Sequence, residues 1–237
     1  MNRMNDLIED IKYIIFSFVE FKPCIKKELQ NAVNLWYMDK EKALNQYGHI
    51  STWNVSQITD MSYLFYHKKE FNENISNWDV SNVKNMYRMF SYADLFNQPI
   101  NKWNVSNVKN MEEMFFFTKL FNQPLNNWNV SNVTNMAQMF SHSVFNQNIN
   151  SWNVSHVTNM CYMFCNNKKF NQPLNDWNVS KVEYMTNMFY GCISFNQPLN
   201  KWDISNVKEM ILMFRFADSF NQSLDSWDLK IDLQLIK

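Results

Sequence analysis

The chain has 237 residues, 46% of them hydrophobic, which supplies a core and excludes disorder by composition. Lysine plus arginine balances aspartate plus glutamate at 22 each, so no basic face is offered to phosphates or to an anionic membrane; neither nucleic acid nor membrane is expected as a partner. Only 2 Gly (Gly48 and Gly191) leave almost no room for the glycine-rich loops that cradle nucleotides.

In residues 1–27, Leu7, Ile11, Ile14, Ile15, Phe18 and Val19 recur at helical spacing and predict a short amphipathic helix. Asp6, Glu9 and Asp10 precede the apolar stretch and Lys12 interrupts it, which fits neither a secretory signal nor a membrane span. An intracellular protein is expected. LIEDIKYIIFSFVEF resembles the opening helix of an F-box, which implies docking on a ubiquitin-ligase adaptor; simple packing on the end of the fold is the alternative.

From residue 53 the chain repeats. Trp53, Trp78, Trp103, Trp128, Trp152, Trp177, Trp202 and Trp227 are 25 residues apart, with one step of 24. Phe71, Phe96, Phe121, Phe145, Phe170, Phe195 and Phe220, each opening an F-N element, keep the same beat. A fixed period of this length means stacked units that bury one another's apolar sides. Alternation in [LI]-x-x-W-x-V predicts a short strand. The following Ser reads as an N-cap, and apolar residues three and four apart, as in Val133, Met136, Met139 and Phe140, predict a short helix. Proline then breaks it. Trp and Val share the inner face, so the indoles read as core and not as a sugar platform. The Asn after each of these Phe residues predicts a ladder of amides that satisfies loop backbone groups. At the far end, Leu229, Ile231, Leu233 and Leu235 alternate with polar residues, a last edge strand that is either guarded by its charges or a seam between copies.

The pattern W-N-V-S-N-V-T-N-M-x-x-M-F…F-N-Q-P-L, from Trp128 onward, resembles the BspA-like leucine-rich-repeat proteins, in the subgroup first described as a Mycoplasma repeat of unknown function. The resemblance covers about residues 50–228. It implies an α/β fold, a right-handed leucine-rich-repeat-like solenoid of seven 25-residue strand–helix coils with an N-terminal helical cap. ELQNAVNLWYMDKEKALNQYGHIS (28–51) resembles the segment ahead of the first coil in relatives and supplies that cap. The expected division is therefore 1–27, an amphipathic segment; 28–52, the cap; 53–228, the repeats; and 229–237, the edge strand. The family carries no catalytic residues, and its bacterial members imply adhesion or protein binding. The composition and the absence of an export signal point to relatives in large DNA viruses, in host cytoplasm or virion.

Cys161 and Cys165, with Cys192 one coil later and His142 one coil earlier, would make up a zinc set. Their spacing matches no zinc ribbon or finger, so no metal is expected. The four Cys fit no disulfide framework. Met-x-x-Met reads as core filler. No Ser, His and acid converge, so neither catalysis nor a cofactor is expected. The most variable part of the repeat is the loop after Met-Phe, with Tyr66, His67, Tyr92, Phe116, Phe117, His142, Tyr190 and Phe216. Aromatic residues favour interface hot spots, so these are the candidate partner surface; packing against neighbouring loops is the alternative. The expected function is a non-catalytic scaffold for protein–protein interaction, with an F-box-like adaptor or a surface adhesin as the other readings.

Overall fold

The computed structural model describes residues 21–227. The chain enters through two helices, α1 (Lys26–Met38) and α2 (Lys40–Tyr47), and a 3-10 turn at Ile50–Thr52. Helix α1 buries Leu29, Ala32, Val33 and Trp36, a stripe at spacings of three and four. Its first turn is closed by Glu28, whose Oε2 accepts the Cys24 N–H at 2.8 Å. Helix α2 begins where the Asp39 carboxylate accepts the Lys42 N–H at 3.0 Å, and ends at Gly48, whose φ of 69° suits glycine.

Beyond the helices, seven coils follow, joined by six parallel single-residue bridges running Asp60, Asn85, Asn110, Asn135, Asn159, Tyr184, Glu209. The expected α/β architecture of strand–helix coils is not what the chain adopts. Among the described residues the repeats contain neither a strand nor a helix, so a leucine-rich-repeat-like strand–helix solenoid is ruled out. The W-x-V segment is extended but carries no bridge; pairing falls instead on the residue before the first Met. V-x-x-M-x-x-M-F is a run of tight turns.

Backbone hydrogen bonding gives the reason. In Met86–Tyr92, the N–H groups of Met86, Arg88, Phe90 and Tyr92 reach the carbonyls of Asn110, Glu112, Met114 and Phe116 in the next coil. Those of Met89 and Ser91 turn back to Met86 and Arg88. Alternate amides thus hold neighbouring coils and close turns, which satisfies the whole segment without a helix. The Ser is no helix cap either. Its N–H donates to the side chain of the Asn or Asp two residues earlier, as Ser81 does to Asp79 at 3.0 Å and Ser131 to Asn129 at 3.1 Å. In the first five coils a second such turn precedes the first core Met, as where Asn85 Oδ1 accepts the Tyr87 N–H at 3.1 Å. Asn and Asp side chains compete with helix formation in this way.

The core is three aromatic columns. Phe65, Phe90, Phe115, Phe140, Phe164, Phe189 and Phe214 stack at 5.2–5.9 Å. Each lies 3.9–4.1 Å from the second Phe of its own coil. The indoles stack beside them, for example Trp152 on Trp177 at 6.5 Å, and each from Trp78 on donates Nε1–H to a Leu or Ile carbonyl of the preceding coil at 2.8–3.1 Å. The expected asparagine ladder is present: Asn72, Asn97, Asn122, Asn146, Asn171 and Asn196 each accept the N–H of the next Asn at 2.8–3.1 Å.

The stack is polar along its axis. Alternate carbonyls from the bridge residue through the M-x-x-M-F turns face the N-terminal end, where α1 meets them: the Gln30 amide donates to the Leu64 carbonyl at 3.1 Å, and Lys26 reaches Asp60 and Ser62. The expected amphipathic helix of residues 1–27 falls mostly, and the edge strand of residues 229–237 wholly, outside the described residues.

Candidate functional site

Turn geometry decides which side chains leave the core. In M-x-x-M-F-x-x, the Met and Phe side chains point inward, and the second and last x adopt left-handed backbone in every coil. Examples are Arg88 (φ 54°) with Tyr92 (φ 59°), and Glu113 (φ 53°) with Phe117 (φ 54°). Bulky residues rarely accept this conformation, and the bonds between coils hold them in it. Outward positions at one register stack into columns along the repeat.

One column is a continuous run of rings. His67 stacks on Tyr92 at 4.4 Å, Tyr92 on Phe117 at 5.1 Å, and Phe117 on His142 at 4.2 Å. Tyr66 and Phe116 abut it edge-on: Tyr66 against His67 at 4.3 Å, Phe116 against Tyr92 at 5.4 Å and His142 at 5.9 Å. Their own column alternates large with small, since buried Ser91 and Ser141 separate them and leave room for the rings. The run ends where the Asn166 amide donates to His142 Nε2 at 3.3 Å. Beyond Asn166 comes Gly191, where a Cβ would lie 2.3 Å from the Asn166 amide oxygen. Six of the eight candidate residues therefore form one ribbon. Tyr190 and Phe216 pair separately, edge to face at 5.2 Å, past this break.

Sequence reasoning missed the neighbouring columns, because it placed the M-x-x-M interval on a helix. There Arg88 clasps Glu113 through two bonds, Nε to Oε2 at 2.8 Å and Nη2 to Oε1 at 2.7 Å. The guanidinium also sits 5.1–5.9 Å from the rings of Tyr63, Tyr66 and Tyr87. Burial and a hydrogen bond that its own hydroxyl donates to Tyr63 push the Tyr87 phenol up to about 12, so it stays neutral. Burial, and then the Glu113 charge, raise the Glu112 carboxyl against the opposing Asn135 bond. The one signal available was that both x positions differ from coil to coil, as the loop positions do.

The considered zinc set is not assembled. Among the described residues no three His, Cys, Asp or Glu side chains are grouped to hold a metal. Cys192 Sγ donates to the Phe164 carbonyl at 2.7 Å, and burial pushes the thiols of Cys161, Cys165 and Cys192 up, away from the thiolate that would ligate or attack. The eight repeat tryptophans are 2–4% exposed and offer no platform.

Burial holds the His142 imidazole below its ordinary value. The unfolded chain then takes up the proton more readily, so the stability this group supplies is complete above about pH 6.5 and is lost as pH falls through the lower folded value. His142→Asn, which copies Asn166 one coil on, should flatten the acid-side loss of stability in urea titrations between about pH 6.5 and 5. His49, lowered mainly by burial, keeps its share of that slope. Parallel curves for the two proteins would count against a buried, neutral His142.

Coils held by an asparagine ladder, a hydrogen-bonded indole ladder and alternating inter-coil amides define a tandem-repeat protein. The chain belongs to the family described as Mycoplasma protein of unknown function, DUF285, whose sequence profile matches residues 33–148 and 141–234. No curated protein and no solved structure matches it. Among the described residues no helix is long and apolar enough to cross a membrane.

Proposed function

We propose that the chain is a non-catalytic repeat scaffold for protein–protein interaction and that the aromatic ribbon is its contact surface. The observation that carries this reading is the stacked run His67, Tyr92, Phe117, His142 with Tyr66 and Phe116 against it. These rings are half-buried to exposed, already fixed in orientation by one another, and need little further ordering to bind. The flanking charges Arg88 and Glu113 neutralise each other, leaving a Tyr- and Phe-rich surface of the kind that supplies contact area at low entropic cost. An intracellular setting, the BspA-like kinship and a viral source are the finer parts of the same proposal; repeat wording and composition support them.

The test is proximity labelling in cells, followed by affinity measurement on the protein recovered. Tyr66→Ser with Phe116→Ser places on the ribbon the residue that Ser91 and Ser141 already carry in neighbouring coils, so the fold should persist. Loss of two hot-spot rings should weaken the partner about thirty-fold or more. Lys102→Glu with Lys201→Glu, in the stripe beside Trp, should change little. Equal affinity for the ribbon variant and the parent chain would overturn the proposal.

A further inference from the structure

The repeat is interrupted once, where Phe121 and Phe145 are 24 residues apart; the Asn122–Asn146 rung survives at 2.8 Å, but two other polar bonds fail in that coil. Elsewhere the Gln after each Phe-Asn donates Nε2 to the Asn Oδ1 one coil earlier: Gln98 to Asn72, Gln123 to Asn97, Gln172 to Asn146, Gln197 to Asn171 and Gln222 to Asn196, at 3.0–3.2 Å. Gln147 makes no such bond to Asn122, and its amide has no hydrogen-bond partner among the described residues. A second ladder fails beside it. Asn101, Asn150 and Asn175 accept the N–H groups of Asn127, Asp176 and Lys201 at 3.0–3.2 Å. Asn126 accepts no equivalent N–H, as is also true of Asn200 at the end of the repeats; the Ser151 hydroxyl reaches only the Asn126 carbonyl, at 3.5 Å. The proline that four other coils carry after Phe-Asn-Gln is here Asn148, which is exposed.

At this fault the surface opens into a trough of about 700 Å³, walled by Pro124, Asn126, Gln147, Asn148, Ser151 and Asp176. We infer that this trough binds a neutral, hydroxyl-rich ligand, a short saccharide. The charge balance excludes an ion as the natural occupant, because Asp176 is already held by Lys201 Nζ at 2.7 Å and Asn150 Nδ2 at 2.6 Å. The walls mix apolar surface with amide, hydroxyl and carboxylate groups, so a wholly greasy ligand would bury those polar groups unpaired. What remains is a set of side-chain amides, each able to donate and to accept, which matches the paired donor and acceptor character of sugar hydroxyls. Gln147 brings its full capacity; Asn148 spends only its Oδ1, on the Asn150 N–H at 2.9 Å. The Pro124 ring offers a C–H face to a pyranose ring. A volume in the range of about 300–1,000 Å³ suits a small ligand and is open enough for a chain end.

Saturation-transfer NMR with maltotriose and with chitotriose tests this on the full chain, with sialyllactose as an acidic comparison. At least one neutral trisaccharide should receive saturation. Asn148→Pro, which restores the residue of the other coils, and Gln147→Ala should each weaken it at least tenfold. Tyr66→Ser with Phe116→Ser should leave it unchanged, which separates this site from the ribbon. No transfer to either neutral sugar, stronger transfer to sialyllactose, or binding unaltered in both trough variants would overturn the inference.

Discussion

Phe115→Ala is expected to cost about 3–5 kcal/mol, a large part of what holds a chain of this size folded. The ring is fully buried and meets aromatic neighbours on every side: Phe90 and Phe140 at 5.6 Å above and below, Phe121 at 4.1 Å within its coil, and Trp128 at 6.4 Å. Coils on both sides are pinned by five backbone inter-coil bonds each, so the backbone cannot close over the hole. Phe214→Ala removes a ring that, among the described residues, has a column neighbour only in Phe189, and should cost about 3 kcal/mol, at the low end for such deletions. Urea unfolding followed by circular dichroism measures both. Equal losses would mean that the columns do not couple neighbouring coils, and the stacked picture would have to be given up.

That gradient is characteristic of quasi-one-dimensional proteins, in which each unit is stabilised by its neighbours and the ends are weakest. Here the N-terminal end is covered by α1, with Gln30 on the Leu64 carbonyl. At the other end the N–H groups of Met210, Leu212, Phe214 and Phe216, equivalent to those that bind the next coil elsewhere, have no partner among the described residues.

The period, the inward Trp, Met and Phe and the asparagine ladder were legible because they depend only on identical side chains meeting every 25 residues. Secondary structure was not. Val133, Met136, Met139 and Phe140 lie three and four apart, and that spacing is met equally by a helix and by successive three-residue turns. What decides between them is whether an amide turns back or crosses to the next coil, and no local residue records that. The left-handed positions give no warning either: Tyr63, Arg88, Glu113, Gln138, Tyr162, Asn187 and Leu212 share one conformation, and only Asn187 is a residue type that favours it. The loop aromatics stood out because loop residues vary from coil to coil, but their stacking into one ribbon depends on a left-handed turn that the residue types do not announce. The Arg88–Glu113 clasp escaped because a presumed helix hid its columns.

That clasp yields the second large effect. Glu113 has a side chain only 5% exposed, and its two oxygens are taken by Arg88. Arg88→Met keeps much of the aliphatic packing against Tyr63 and Tyr87 but leaves a carboxylate with little water and no counter-charge. The cost should be about 3 kcal/mol, at the low end for breaking a buried pair because Arg88 itself is 30% exposed. Glu113→Gln in the same chain removes the stranded charge and should restore most of the loss, since the asymmetry lies in leaving one partner behind. Gln138, which occupies the same register one coil later, already shows that an amide is accommodated there. A double-mutant cycle by urea titration separates the terms. If the second substitution recovers nothing, the destabilisation comes from lost ring contacts with the guanidinium, and the ion pair is not what fixes the columns beside the ribbon.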